Sequence, residues 1–362
     1  MNQIALYPLR FDPIYQYRLW GGLRLADLLS APLPGEGPIG EAWVLSDRDD
    51  HQSLVANGPL KGQTLGRLME QFREQLMGKF APRFRRFPLL LKFLDAHEML
   101  SVQVHPSDAY PDLIPPGETG KTEAWVVIEA EKGSQIYAGL KPGTSADGLR
   151  HSIAGGAIAD CLVGIVPKPG DSVFIPAGTV HTLGNDIVVF EVQQNSDVTF
   201  RLYDWGHVDA KTGKPRPLQV DQAFACIDFE GSAGGLVTPR LEATMPVERE
   251  RLFDCEPFRL WRLLGQASFP VGATGEPRVL VCIGGSGQLE HANIPYAVGK
   301  GDVWLLPAEA GVCAFQPSPQ VTLLEIAIHG SYGIGDSAEL TKLILSKCGT
   351  SHRLRELLER GR

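Results

Sequence analysis

Four side chains of types that bind metal ions occur in three short segments of this sequence. Gln103 and His105 lie in LSVQVHPSD, Glu123 lies in GKTEAWVV, and His181 lies in IPAGTVHTLG. Side chains alternate between the faces of a β-strand, so Gln103 and His105 point to the same side of a predicted strand. A carboxylate such as Glu123 on the apolar face of a strand is costly to bury unless a cation compensates it. The set predicts a metal site with nitrogen and oxygen ligands, which suits catalytic zinc but also iron or manganese.

Cationic and hydroxyl side chains near these segments could bind an anionic substrate. Lys92 lies in the apolar run FPLLLKFLDA, Lys121 precedes Glu123 by two residues, and Ser101 precedes Gln103 by two. We expect Lys92, Ser101 and Lys121 to bind the anionic group of a substrate, which the overall charge of −8 would otherwise repel. The simpler alternatives are a structural ion pair between Lys121 and Glu123, and a Lys92 whose stem is buried while its ammonium reaches water.

The segment VTFRLYDW contains an arginine, Arg201, on a predicted strand. Strand alternation places Thr199, Arg201 and Tyr203 on one face and apolar residues on the other. The polar face could line a wet cleft, although an exposed arginine on a strand is usually only solvated.

The elements that must position these residues are short strands between turns, because the chain contains 40 Gly and 27 Pro. Helical spacing is found at 64–80, 144–164 and 217–229, with Ser145 as the expected cap of the second helix. The segment 230–238, rich in Gly and small residues, is typical of a linker.

Two stretches of the sequence repeat each other. KPGDSVFIPAGTV at 168–180 aligns with GKGDVWLLPAEAG at 299–311, which indicates two similar β domains. Where the second copy should present a histidine it has Val312, and Glu309 replaces the glycine. We therefore expect one metal ion per chain, bound by the first domain only.

Several motifs together resemble a known family. GDSVFIPAGTVHTLGN matches the second signature of the cupin barrel, and LSVQVHPSD, GKTEAWVV, IPAGTVHTLG and EVQQNSDVTFRLYDW follow the order and spacing of type I mannose-6-phosphate isomerases. These are zinc-dependent enzymes of the cupin fold, also called phosphomannose isomerases. The resemblance implies that Gln103, His105, Glu123 and His181 hold one Zn²⁺ and that Arg201 is the active-site arginine.

The predicted fold class is therefore mainly β: two cupin-like (jelly-roll) β-barrels with inserted helical segments and a C-terminal helical tail. We predict a metal-binding cupin domain at 1–230, a second, degenerate cupin domain at 239–335, and the tail at 336–362.

The reaction that the resemblance implies is the interconversion of mannose 6-phosphate and fructose 6-phosphate through an enediol, with Arg201 and Lys121 as catalytic side chains. The base stays open between a zinc-bound water, the neighbourhood of Glu123, and Lys121. Alternative functions are an iron-dependent cupin oxygenase, because two His and one Glu resemble a facial triad, and a non-catalytic sugar-binding cupin. The intact ligand set and Arg201 favour the isomerase.

Composition limits the partners and the location. An acidic chain with no apolar run of membrane-spanning length disfavours nucleic acid and membranes as partners and leaves a small sugar phosphate. The N-terminus shows no secretory pattern, and the six cysteines are scattered, so we expect a cytoplasmic protein with reduced thiols. The sequence leaves the oligomeric state open.

Overall fold

The computed structural model describes residues 5–35, 37–230 and 234–328 of the chain. The predicted tail at 336–362 lies outside these ranges. Within them the strands, in chain order, are β1 (Leu9–Arg10), β2 (Ile14–Gly22), β3 (Ile39–Leu45), β4 (Asp47–Arg48), β5 (His51–Gln52), β6 (Leu89–Ala96), β7 (Val102–Val104), β8 (Glu123–Ala130), β9 (Ile136–Leu140), β10 (Leu162–Ile165), β11 (Ser172–Ile175), β12 (His181–Leu183), β13 (Ile187–Gln194), β14 (Phe200–Tyr203), β15 (Val208–Asp209), β16 (Lys214–Pro215), β17 (Gly235–Leu236), β18 (Arg240–Ala243), β19 (Glu248–Asp254), β20 (Phe258–Gly265), β21 (Phe269–Gly272), β22 (Arg278–His291), β23 (Ile294–Gly299), β24 (Val303–Leu306) and β25 (Val312–Ile328).

The α-helices are short and lie between strands of the first part of the chain. Their bounds are α1 (Leu25–Leu28), α2 (Leu65–Gln71), α3 (Arg73–Met77), α4 (Ala146–Ala154) and α5 (Val220–Cys226). The single helix predicted over 64–80 is two helices, because Phe72 adopts a non-helical φ of −129° between them. The predicted cap of α4 is confirmed: the Ser145 hydroxyl accepts the Gly148 N–H at 3.1 Å. No helix among the described residues is long and apolar enough to cross a membrane.

Two antiparallel sheets form the first half of the molecule. One has the order β17-β11-β8-β13-β6-β2-β3 and the other the order β10-β9-β12-β7-β14. Buried apolar residues of both sheets form one cluster, in which Trp125 and Val173 of the first pack with Ile136 and Leu183 of the second. Face-to-face packing of antiparallel sheets around such a core is the arrangement of a jelly roll, so the mainly β, cupin-like fold is confirmed.

A third sheet, of nine strands, forms the second half. Its order is β1-β24-β22-β25-β20-β19-β18, with β21 and β23 attached to β25 and β22. The N-terminal strand belongs to this sheet, because Leu9 pairs with Leu305. The division of the chain at 230–239 stays a prediction.

The repeated turns have the same conformation in both halves. Gly170 and Gly301 have φ of +90° and +91°, a left-handed region that glycine tolerates best. In each turn an aspartate accepts a backbone N–H three residues earlier: Lys168 to Asp171 at 2.8 Å and Gly299 to Asp302 at 2.9 Å. The sequence repeat is therefore a structural repeat.

The two copies differ after the proline that follows the strand. In the first copy the Gly178 N–H donates to the His105 carbonyl, which brings this turn beside a predicted ligand. In the second copy the Glu309 N–H donates to the Gln75 carbonyl, and the Glu309 carboxylate accepts the Leu6 N–H at 2.9 Å. The second turn thus holds α3 and the N-terminal segment.

Candidate metal centre and cleft

Strand register builds the site from two rows of side chains. In the five-stranded sheet, Gln103 on β7 pairs with His181 on β12 on one side and with Arg201 on β14 on the other. In the seven-stranded sheet, Lys92 on β6 pairs with Glu191 on β13. Side chains from both rows line one cavity of about 440 Å³.

A buried cluster of three side chains lies beside this cavity. The candidate ligand atoms of His105, Glu123 and His181 all lie within 4.8 Å of one another. The two Glu123 oxygens are 3.4 Å from His105 Nε2 and 3.2 Å from His181 Nε2. All three side chains are at most 1% exposed. It is the one such cluster of His, Cys, Asp and Glu among the described residues.

Hydrogen bonds at the back of each imidazole fix which nitrogen faces the cluster. Nδ1 of His105 lies 2.8 Å from the Val198 carbonyl, and Nδ1 of His181 lies 2.8 Å from the Thr179 carbonyl. A carbonyl can only accept, so each Nδ1 carries the proton and each Nε2 presents a lone pair. His105 Nε2 and Glu123 Oε1 are buried without a hydrogen-bond partner among the described residues. This arrangement fits a metal ion, which would satisfy both atoms.

The charges of the cluster suit the same conclusion. Burial, and then the Lys121 ammonium, lower the pKa of His105 to about 3, so its imidazole is neutral at physiological pH. Burial alone would raise the pKa of Glu123, but the Lys121 ammonium holds that pKa well below its usual range. A neutral imidazole and an ionised carboxylate are the forms that bind metals.

Gln103 lies at the edge of the cluster, on the side of the cavity. Its Nε2 is 3.3 Å from His181 Nε2, and its Oε1 accepts the Ser101 hydroxyl at 3.4 Å. Because the two ends of an amide have the same shape, a half-turn of this amide brings its oxygen to His181.

The two predicted lysines both line the cavity, and both are buried beside carboxylates. Lys121 Nζ lies 3.2 Å from Glu123 Oε2, so the ion pair considered for these residues is present. Lys92 Nζ lies 3.5 Å from Glu191 and 3.9 Å from both Glu41 and Asp197. Its side chain is 3% exposed, so it does not reach into water.

Glu191 lines the cavity and was missed by the sequence analysis. Its Oε2 accepts the Trp125 indole N–H at 2.8 Å, whereas its Oε1 has no hydrogen-bond partner among the described residues. Burial and the nearby Glu123 raise the pKa of Glu191. The signal was present in the sequence: a carboxylate in the apolar strand IVVFEVQ is as costly as Glu123 in its own strand. Further charged residues that line the cavity and were not predicted are Arg18, Glu41, Asp197, Asp209 and Arg216.

Arg201 and Ser101 meet at the wall of the cavity. Arg201 Nε donates to the Ser101 hydroxyl at 3.1 Å, and its Nη1 donates to the Pro217 carbonyl at 3.0 Å. Thr199 also lines the cavity, but the prediction that Tyr203 shares this face is wrong. A β-bulge between Arg201 and Tyr203 turns the tyrosine away, so that it packs in the cluster of Val102 instead.

Comparison with known proteins agrees with this geometry. A family model described as phosphomannose isomerase type I, catalytic domain, matches residues 9–116. Mannose-6-phosphate isomerase ManA of Bacillus subtilis is 38% identical over 307 residues, which are 84% of this chain and 94% of the relative. The mannose-6-phosphate isomerase of Streptococcus mutans is 35% identical over 300 residues, 83% of this chain and 92% of the relative.

A solved structure shows that the likeness extends to the fold. The crystal structure of the mannose 6-phosphate isomerase from Bacillus subtilis superposes with a TM-score of 0.81 at 32% identity, covering 89% of this chain and 99% of that one. The chain therefore belongs to the family of type I phosphomannose isomerases.

Proposed function

We propose that this protein interconverts mannose 6-phosphate and fructose 6-phosphate with the help of one bound Zn²⁺. The observation that carries the proposal is the buried His105, Glu123 and His181 cluster, preoriented for a metal beside a cavity rich in cations. Its relatives are named for this reaction, and their likeness covers most of the chain.

The proposed ligands of the ion are His105, Glu123 and His181, with the amide oxygen of Gln103 as a fourth. Zinc suits two imidazoles and a carboxylate that leave room for substrate, because catalytic zinc keeps an open position. When bound, such an ion supplies Lewis acidity that polarises the C1 and C2 oxygens of the sugar. In the second barrel the interior near Cys313 is filled with apolar side chains, which supports one ion per chain.

Glu191 is the proposed carrier of the proton. The residue lines the cavity, its Oε1 accepts no hydrogen bond from the described residues although Lys92 Nζ lies 3.5 Å away, and its raised pKa brings the carboxyl group closer to the range of a general base. The proton leaves C2 for this carboxylate and returns at C1, while the O2 proton passes to O1. The C1 carbonyl becomes a hydroxyl and the C2 hydroxyl becomes a carbonyl, so that no atom is gained or lost.

Lys121 and Arg201 are the proposed catalytic cations. The enediolate carries a negative charge that the sugar does not have, and fixed cations beside it lower the barrier to its formation. Lys121 is held by Glu123, and Arg201 is held by Ser101 and Pro217, so both are positioned before substrate arrives. Lys92, Ser101 and Lys121 are the proposed contacts of the bound substrate, because all three line the cavity.

We expect the purified protein to contain about one zinc per chain and to isomerise mannose 6-phosphate in an assay coupled to fructose 6-phosphate consumption. Removal of the ion with a chelator should abolish turnover, and added Zn²⁺ should restore it, because the ion polarises the reacting oxygens. Elemental analysis of the same sample gives the stoichiometry. Two ions per chain, or full activity after verified removal of all metal, would contradict the proposal.

Lys121→Met should lower kcat by about a hundredfold and change KM much less, as expected when one preorganised group beside the reacting atoms is lost. The metal content must be measured on the same sample, because Lys121 contacts the proposed ligand Glu123. Lys300→Met is the control, since Lys300 forms an ion pair with Glu129 and lies outside the cavity. A large rise in KM at constant kcat would instead assign Lys121 to the phosphate.

A further inference from the structure

The charges that line the cavity fall into two groups, here called the lysine end (Lys92 and Lys121) and the arginine end (Arg18, Arg201 and Arg216). Burial, and then Arg216, lower the pKa of Arg201, with Asp204 and Arg18 as its other charged neighbours. Arg18, Arg201 and Arg216 are therefore close enough to affect one another's charge.

Both ammonium groups of the lysine end already have carboxylate partners, so neither is available to bind a phosphate. Its two ammonium groups face four carboxylates: Glu123 beside Lys121, and Glu191, Glu41 and Asp197 beside Lys92. Even with a divalent ion at the metal cluster, neither ammonium group would be free of a carboxylate partner. A phosphate dianion placed there would meet carboxylates within a few ångströms and be repelled.

The arginine end has positive charge that no carboxylate of the described residues takes up fully. Arg201 donates to neutral oxygens of Ser101 and Pro217. Arg18 shares its carboxylate, Glu41, with Lys92. At the rim, Lys211 Nζ lies 3.4 Å from the centre of the Tyr17 ring, which lines the cavity together with Asp209.

Arg216 has the geometry of an anion clamp. Its Nε donates to Asp204 Oδ2 at 2.8 Å and its Nη2 donates to Oδ1, so the carboxylate holds the guanidinium in one orientation. Nη1 has no partner among the described residues, and the side chain is 20% exposed in the cavity wall. A guanidinium fixed on one edge with free N–H groups on the other is preorganised for bidentate recognition of phosphate.

We propose that Arg216, fixed by Asp204 and assisted by Arg18, binds the phosphate group of the substrate at the arginine end. This inference rests on the proposed function, and it assigns the phosphate to side chains other than Lys92 and Lys121.

The placement agrees with the shape of a hexose 6-phosphate, whose phosphate is at the opposite end of the carbon chain from C1 and C2. Arg201 and His181 are two strands apart, which separates their backbones by about 10 Å. Arg216 lies three residues before Gln219, whose backbone N–H donates to the Arg201 carbonyl on β14, the last strand of its sheet. The sugar can therefore span from the metal cluster to the arginine end.

The test is Arg216→Met, measured with two probes. In the isomerase assay, KM for mannose 6-phosphate should rise about tenfold to a hundredfold at nearly constant kcat, because a charged hydrogen bond made equally in ground and transition states is lost. In calorimetric titration of the zinc-loaded protein, the Kd of inorganic phosphate alone should rise by a similar factor. Arg216→Lys, which keeps the charge and loses the fork, should lie between the two.

Controls separate this effect from a loss of structure. The double variant Arg216→Met with Asp204→Asn removes both charges, leaves no unpaired carboxylate, and should show the same rise in KM and Kd. Arg251→Met removes a guanidinium of similar exposure, 22%, that is bonded to Asp254 in the second sheet, and should change neither value. An unchanged KM and phosphate Kd in a folded Arg216→Met or double variant would overturn the inference. Absence of isomerisation by the unaltered protein would instead refute the proposed function, since the phosphate titration does not depend on turnover.

Discussion

We expect His181→Ala to bind no metal and to lose all measurable isomerase activity while it keeps its fold. The imidazole is one of the three proposed ligands, 3.2 Å from Glu123, and alanine offers no replacement for its lone pair. The sheets do not depend on this side chain, because the core between them consists of apolar residues such as Trp125, Ile136 and Leu183. Loss of a fully buried ring should cost roughly 1–3 kcal/mol in the free energy of unfolding.

Elemental analysis, circular dichroism and the coupled assay on one preparation measure all three parts of this expectation. His97→Ala is the control, because His97 is 65% exposed, bonds to Asp186 and lies outside the cluster. That variant should keep its metal and its kcat. Retention of a full metal complement by His181→Ala would remove His181 from the ligand set. Complete unfolding of the variant would show that the ion holds the fold together.

The proposed ligand residues could be predicted from the sequence because each lies in a short segment with a recognisable pattern. His105 and Gln103 alternate along one short strand, and His181 follows a turn shaped by Pro176 and Gly178. The structure brings these segments together through strand pairing, with His181 opposite Gln103. The local sequence pattern was sufficient to identify these residues, because each segment contains its own metal-binding side chain. Closure of the barrel then brings the segments together.

The other residues that line the cavity could be predicted only in part. They come together through the pairing register of distant strands, which no local sequence pattern reveals. Lys92 pairs with Glu191 at a sequence separation that gives no hint of contact. Arg18 reaches the same cavity from β2, and Arg216 reaches it from the loop before α5. The prediction for Tyr203 is wrong for another reason. A β-bulge changes the face of the sheet that a side chain occupies, and alternation counted from the sequence assumes a strand without a bulge.

Sequence also shows which side chains are charged but not which charges are already paired. Lys92 and Lys121 are the cations nearest the ligand segments, and on that ground they were expected to hold the phosphate. In the folded chain both face buried carboxylates, whereas Arg216 is bonded to Asp204 along one edge and its Nη1 has no partner among the described residues. The balance of charge in the cleft thus follows from contacts, and it moves the expected phosphate position from the lysines to the arginines.

The contacts of the second copy of the turn agree with the expectation that it holds no metal. Both repeats keep the Gly-Asp turn, but the turn after Pro307 is bonded to Gln75 and Leu6 rather than opened toward a ligand. A side chain at the position of Val312 would therefore lie beside no other proposed metal ligand. The second copy of the turn therefore serves to attach α3 and the N-terminal segment to the second sheet.

Arg201→Ala should keep its zinc, bind mannose 6-phosphate within a few-fold of normal, and turn it over a hundredfold to a thousandfold more slowly, about the effect of removing one preorganised donor from a developing anion. Arg201 is prepared for this role: Ser101 and Pro217 hold its guanidinium, and it stands next to Gln103 on the neighbouring strand. A charge that appears only in the enediolate is stabilised in the transition state more than in the bound sugar, so the effect should fall on kcat.

Steady-state kinetics with zinc content measured on the same sample distinguish this role from that of Arg216. Arg201→Lys should recover only part of kcat, because an ammonium keeps the charge but not the planar fork. Ser101→Ala removes one of the bonds that orient Arg201 and should produce a smaller loss of kcat in the same direction. A near-normal kcat with a strongly raised KM in Arg201→Ala would place this arginine with Arg216 at the phosphate and leave Lys121 as the catalytic cation. The split between kcat and KM therefore locates each cation along the sugar, with those that act on kcat at the reacting carbons and those that act on KM at the phosphate.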